Sequence, residues 1–242
     1  MVSMWKGRML SSDFWWLSPE EVRQYRFIEL FHQEPYSDEP NTGKDPLSCR
    51  MLQSDKRHPL ESVNQWKTKF GNINVFRSYA LYSSDTEGEQ IIGPLLLDID
   101  RTIQKGGGYL PNFDKALKDT RLLVAEYCSN LKDKDYRIFF TGHKGFHIEI
   151  QPKAFGVELC LDRWQYFENI RKDINRQFGN SFIDKFHPHM RLHNSVNRWI
   201  DYSGEEVDSM NFEISIDELF SLSAEEIFLK AKNLAGENFI DR

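Results

Sequence analysis

Cysteine is scarce in this 242-residue chain, and Cys49, Cys128 and Cys160 stand far apart with no CxxC spacing. That leaves neither a disulfide framework nor a cysteine zinc site, and it suits a reducing, cytoplasmic compartment. Long apolar runs are missing as well. The longest, Ile91-Ile92-Gly93-Pro94-Leu95-Leu96-Leu97, is far too short to span a bilayer. Met1 to Leu10 holds no apolar stretch of signal-peptide length, so no membrane partner is expected. Repeats and low-complexity segments are lacking, which excludes solenoids, collagen and coiled coils. There is no basic excess either: net charge is −6. Ten acidic and three basic residues follow from Glu205 onward, a net of −7, leaving about +1 on residues 1–204. An acidic tail on a near-neutral body is compatible with a local basic groove without requiring one.

What is present is a core. With 40% hydrophobic and 14% aromatic residues, the chain can bury one large domain spanning 1–242. Ser18 caps an expected helix from Pro19 to His32, with Glu21 three residues on. Residues 34–60 read as loop, broken at Glu34-Pro35, Glu39-Pro40-Asn41-Thr42-Gly43 and Asp45-Pro46. Strands are expected over Asn74–Tyr82 and Ile91–Asp100, before a break at glycines 106–108. Helical spacing covers Phe113–Leu131 and Leu161–Phe178, the latter stopped by Gly179, and a shorter helix lies near Ile216–Leu234. Between them, Tyr136–Thr141 and Phe146–Gln151 form a strand pair around a glycine turn. Interspersed strands and helices make the class α+β, with mixed α/β order. The core is expected over about 74–204, with a helical and loop extension at 1–73 and an acidic segment at 205–242.

Three segments carry chemistry. In Leu95-Leu96-Leu97-Asp98-Ile99-Asp100, residues two apart on a strand share a face, so both carboxylates project together. Carboxylates that close repel unless a cation neutralises them, and hard divalent ions prefer such oxygens. The plainer alternative is a pair of solvated acids at a strand end. In Thr141-Gly142-His143-Lys144-Gly145-Phe146-His147, two glycines allow close backbone approach, while lysine, imidazole and amides suit a polyphosphate. The alternative there is an ordinary hairpin turn. The third segment is Phe182-Ile183-Asp184, an acid ending a short apolar strand, followed by Arg191, Ser195 and Asn197. Arg191 and Ser195 offer a guanidinium fork and a hydroxyl to phosphate. His187, His189 and His193 lack cysteine partners and read as surface residues, so no zinc is expected.

In this order the segments resemble the archaeo-eukaryotic primase superfamily, whose catalytic domain carries a hydrophobic-run DxD or DxE, then SGxxGxH, then a third aspartate with a basic residue and a serine downstream. The likeness covers roughly residues 74–200. Asp98 and Asp100 fall on the first motif, Thr141, Gly142, Gly145 and His147 on the second, and Asp184 on the third. His143 and Lys144 occupy the variable positions of the second motif. The chain departs from replicative primase subunits in having no zinc knuckle, and Asn197 stands where the family often has histidine or lysine. The closer likeness is to stand-alone primase-polymerases of plasmids, phages or CRISPR-linked systems, and to polymerase domains of bacterial end-joining ligases.

The resemblance implies an α/β module packed with an RRM-like module around a template-directed nucleotidyltransferase site. Asp98, Asp100 and Asp184 would hold two Mg²⁺ or Mn²⁺ ions. The catalytic residue His147, with Thr141, Gly142, His143, Lys144, Gly145, Arg191, Ser195 and Asn197, would bind the incoming NTP or dNTP. Template and primer strands would be partners, together with a helicase or other replication, repair or CRISPR-linked proteins. Two alternatives compete. Asp98-Ile99-Asp100-Arg101-Thr102 also fits the DxDxT motif of haloacid-dehalogenase-type phosphatases, with Asp98 as nucleophile. A single-stranded nucleic-acid-binding module would instead stack bases on Phe14, Trp15, Trp16, Phe76, Tyr79 and Tyr82.

Overall fold

A computed structural model describes residues 12–33, 51–53, 56–105, 108–156, 163–179, 182–184, 189–201 and 205–240. The expected breakers at 34–46, glycines 106 and 107, Leu161 and His187 lie outside the described residues. In chain order the elements are α1 (Pro19–Gln24), β1 (Phe27–Ile28), β2 (Leu30–Gln33), β3 (Met51–Gln53), β4 (His58–Pro59), α2 (Val63–Lys69), β5 (Val75–Ser78), β6 (Ala80–Tyr82), β7 (Gln90–Ile92), β8 (Leu95–Asp100), β9 (Thr102–Lys105) and β10 (Gly108–Pro111). There follow α3 (Phe113–Glu126), β11 (Tyr136–Phe140), β12 (Gly145–Ile150), α4 (Arg163–Phe178), β13 (His189–Arg191), β14 (Val196–Ile200), β15 (Glu206–Met210), β16 (Phe212–Ile214), α5 (Ile216–Ser221) and α6 (Ala224–Ile240).

The fold is mixed α+β with antiparallel sheets. One sheet, in the order β16-β11-β12-β8, carries both strongest sequence motifs. Its two faces are chemically opposite because side chains alternate along each strand. Leu95, Leu97 and Ile99 of β8, with Phe146, Ile148 and Ile150 of β12, enter the larger core. Helical residues from α3, α4 and α6, among them Leu117, Leu123, Ile174, Ile227 and Ala231, pack in the same core. Each of the leucine, isoleucine and phenylalanine side chains among them contributes about 1.5–3 kcal/mol on burial. Leu96, Asp98, Asp100, His147 and Glu149 leave by the opposite face, as the register pairs His147 with Asp98 and Glu149 with Leu96.

A second core, including Phe14, Trp16, Leu30, Val63, Val75, Leu81 and Leu192, belongs to the N-terminal strands and α2. Those strands form the sheets β4-β1-β6-β7 and β13-β5-β2-β3. No helix among the described residues is long and apolar enough to cross a membrane.

Five expectations about the fold need correction. The helix at Pro19 begins as expected, with the Ser18–Glu21 capping box, but it ends at Gln24 and not His32. Phe27, Ile28 and Phe31 instead pair with neighbouring strands, because aromatic and β-branched residues fit a pleated surface when partners are present. Ile91–Asp100 is two strands, not one, since Pro94 has no amide to donate and the chain changes sheet there. Asn74–Tyr82 divides in the same way at Tyr79. Part of the expected loop at 34–60 is strand, in β3 and β4. The C-terminal segment also does more than trail: β16 pairs with β11, and α6 packs in the larger core.

Gly145 sits opposite Asp100, and a Cβ there would lie 1.8 Å from the Ile99 carbonyl oxygen. That contact is with backbone, which cannot swing aside. Gly145→Ala is therefore expected to cost about 1–3 kcal/mol of stability, as forced overpacking in a core does. Denaturant unfolding checks it: a midpoint equal to that of the unsubstituted chain would mean β12 does not close on β8 this tightly.

Candidate functional site

The three expected aspartates meet. Carboxylate oxygens of Asp98, Asp100 and Asp184 all lie within 4.8 Å of one another, and all three residues are partly exposed. Asp98 and Asp100 come from the open edge of β8, while Asp184 follows 84 residues after Asp100. Segment 182–184 is not a strand, contrary to expectation. It still borrows the strand edge: Asp184 N–H donates to the Asp98 carbonyl at 2.9 Å, and Asp100 N–H donates to Asp184 Oδ2 at 3.1 Å.

Two residues that sequence reasoning missed hold this segment in place. Arg101 donates to the Asp100 carbonyl, the Phe182 carbonyl and the Asp119 carboxylate, each at 2.6 Å. Asn175 of α4 accepts from Ile183 N–H at 2.6 Å and donates to the Ile183 carbonyl at 3.2 Å. The guanidinium thus ties the end of the aspartate strand to the segment of the distant acid through three separate nitrogens held in one plane.

His147 is the cross-strand partner of Asp98, with Nε2 3.4 Å from Asp98 Oδ1. Burial alone would lower the imidazole's pKa, but the charges of Asp98 and Asp100 and the hydrogen bond to Asp98 raise it. Asp100 is pushed up to about 7, first by burial and then by the Asp98 carboxylate beside it. The metal-free site therefore carries unresolved negative charge.

The glycine turn lies next to the acids. Thr141 is buried, and its hydroxyl closes the turn by donating to the Gly145 carbonyl at 3.1 Å. Gly142 has φ +78°, its carbonyl accepts from the Ser209 hydroxyl, and a Cβ would meet the Ser209 carbonyl at 3.1 Å. Lys144 follows on the turn, close enough for its charge to oppose the rise in the Asp100 pKa. His143 lies 4.4 Å, ring to ring, from Trp199, an aromatic that sequence reasoning missed. Burial and the nearby Lys144 and Arg191 charges push His143 down to about 3.

Arg191 lies near enough for its charge to act on His143, with its guanidinium 4.4 Å from the Phe76 ring and bonded to Asn74 Oδ1 at 3.2 Å. Two expected phosphate contacts are placed differently. Ser195 is fully buried, with its hydroxyl donating to the Leu192 carbonyl at 2.6 Å. Asn197 is 6% exposed, and its Nδ2 points to the Thr141 carbonyl at 3.5 Å. Both brace the turn and the following strand. Neither His189 nor His193 joins the acid cluster: His189 packs on Phe31, and His193 packs on Phe139.

The aromatics that a base-stacking surface would need are mostly spent on packing. Phe14, Trp16, Tyr79 and Tyr82 are buried, Trp15 donates to Glu149, and Phe76 lies under Arg191. The sequence matches no protein-family model and no curated protein.

The acid cluster makes two measurable predictions. For Asp100, a folded pKa near 7 lies above the unfolded value, so the native state is favoured by protonation. Stability of the metal-free chain should fall between about pH 4 and pH 7 and level off above. Asp100→Asn should remove that loss, melting several degrees above the unsubstituted protein at pH 8 and level with it near pH 4. Equal melting temperatures at pH 8 would mean the repulsion is absent. Second, millimolar Mn²⁺ should raise the melting temperature at pH 8, as any native-state ligand does. The shift should vanish in Asp98→Asn/Asp184→Asn and shrink in Arg101→Gln, which loosens Asp184.

Proposed function

We propose that this protein is a template-directed nucleotidyltransferase of the primase-polymerase type, joining nucleotides with release of pyrophosphate. The observation that carries the proposal is the meeting of Asp98, Asp100 and Asp184 beside His147, with Lys144, His143 and Arg191 on one side. Three oxygen donors with unrelieved repulsion fit Mg²⁺ or Mn²⁺, which prefer carboxylates over softer ligands. When bound, divalent cations at such a site stabilise charge on the attacking and leaving oxygens of a phosphoryl group.

The chain's own residues supply the rest. Asp98 and Asp100 project from one face of β8, and Asp184 brings a third carboxylate beside them. His147, held by Asp98, offers an oriented imidazole donor to a phosphate oxygen. Lys144 brings a point charge, and the Gly142–Gly145 turn lets backbone approach the triphosphate. Arg191 adds a planar fork. Ser195 and Asn197 act behind them, shaping the wall without touching ligand.

A haloacid-dehalogenase-type phosphatase would use Asp98 as a covalent nucleophile with one metal, but the sequence has no late acidic pair of the GDxxxD kind to go with it. The joining of the three acids with His147 and the glycine turn at one place favours the polymerase reading over that rival. A pure single-strand binder has no use for a repelling acid cluster at all.

A primer-extension assay with template, primer, Mn²⁺ or Mg²⁺ and labelled NTPs or dNTPs, with a primer-free control, tests the proposal. Asp98→Ala, Asp100→Ala and Asp184→Ala should each abolish incorporation while the protein stays folded. His147→Ala and Lys144→Ala should weaken incoming-nucleotide use by ~3 kcal/mol, as loss of a preorganised donor does, with template affinity unchanged. Release of inorganic phosphate from simple phosphate esters, with no incorporation, would overturn the proposal in favour of the phosphatase.

A further inference from the structure

A buried polar cluster that the proposed chemistry does not use lies on the same sheet face as the aspartates. Asp13, Arg77 and Glu149 are fully enclosed, and His193 is 1% exposed. Glu149 stands two residues beyond His147 on β12, so the two side chains share a face. His193 Nε2 lies 2.8 Å from Glu149 Oε1, and Trp15 Nε1 donates to Glu149 Oε2 at 3.0 Å. The His193 ring stacks on Phe139 with centroids 3.7 Å apart and planes 15° apart, and Phe139 is the cross-strand partner of His147.

The backbone of His193 is gripped as firmly as its ring. Its N–H donates to Asp13 Oδ1 at 2.7 Å, and its carbonyl accepts from Lys67 Nζ at 2.5 Å. Asp13 in turn lies 3.9 Å from Arg77 Nε. Asn194 then turns through φ 55°, and the Ser195 hydroxyl bonds back to Leu192. The short connection between β13 and β14 is thereby fixed to the His147 strand at one point. Arg191, which offers its guanidinium to the nucleotide, precedes that point, and Asn197, which braces the glycine turn, follows it.

Apolar side chains of the same volume would hold these elements together at no greater cost, because burying charge is expensive. Charged hydrogen bonds add direction and register, which apolar packing supplies poorly. We propose that Glu149 and His193 are a positioning pair, fixing the Arg191–Asn197 segment against the His147 strand and so setting the geometry of the triphosphate site. The inference rests on the nucleotidyltransferase reading, since it gives that segment a nucleotide to hold.

The test uses the full chain with His193→Phe, which keeps a ring against Phe139, and with His193→Phe/Glu149→Leu, which also removes the carboxylate left behind. Mn²⁺ alone is titrated first, then ATP and dATP in the presence of Mn²⁺. Both variants should keep the unsubstituted Mn²⁺ affinity within about twofold and lose at least about tenfold in nucleotide affinity, as misplacement of binding groups does. The double variant should melt at or above the temperature of the single one, because it strands no buried charge. Unchanged nucleotide affinity in the folded double variant overturns the proposal. So does a parallel loss of Mn²⁺ and nucleotide affinity, or failure of both variants to fold, since each assigns the pair a structural role alone. If the unsubstituted chain binds Mn²⁺ but neither nucleotide, the nucleotidyltransferase reading itself fails.

Discussion

The register between β8 and β12 is the constraint on which the site depends. It sets Gly145 against Asp100 and His147 against Asp98, with Ile99 and Phe146 turned to the core between them. A slip of one residue would carry both aspartates into an apolar core and bring Ile99 to the polar face. Two features hold the register. Leu95, Leu97, Ile99, Phe146, Ile148 and Ile150 must stay buried together, and the close approach of β12 to the Ile99 carbonyl admits only glycine at 145. Hydrophobic burial therefore chooses the face, and a single glycine chooses the alignment.

The opposite face then faces an electrostatic problem that is solved twice, in contrasting ways. Deep in the face, burial would raise the Glu149 pKa, but His193, Arg77 and Trp15 overcome it and hold the carboxylate below its usual range. Asp13 is held low in the same manner by Lys67, His193 and Arg77. These acids are satisfied from within. At the strand end, Asp100 is pushed up to about 7 instead, first by burial and then by the acids Asp98 and Asp184, which the His147 and Lys144 charges do not offset. One face thus holds both neutralised and unneutralised carboxylates, divided between its enclosed part and the end of β8.

Much of this was readable locally, and the rest had no local signal. Alternation picked out β8, β11 and β12, and helical spacing picked out α3 and α4, because each buries a regular face. The DxD pair and the glycine turn followed from spacing alone. Helix α1 was overextended because the residues after Gln24 suit either structure, and their strand partners lie far along the chain. Asp13, Glu149 and His193 were invisible as a group for the same reason. His193 meets Glu149 across 44 residues and Asp13 across 180, and no window contains both. Ser195 misled in the other direction: a hydroxyl downstream of an arginine suggests phosphate, yet its burial is decided by a turn that the sequence does not announce.

The position of β8 at the sheet edge explains why a carboxylate so distant in sequence can join the pair at all. An interior strand has its backbone groups occupied on both sides, whereas an edge strand leaves one side open and must be covered. Segment 182–184 covers it with one backbone bond, from Asp184 N–H to Asp98, and one side-chain acceptor for Asp100 N–H. The same two bonds that protect the edge bring the third carboxylate to the first two. A regular strand in that place would have alternated its side chains and presented only some of them to the site. A short irregular segment, clamped by Arg101 and Asn175, instead delivers a single acid to the pair on β8.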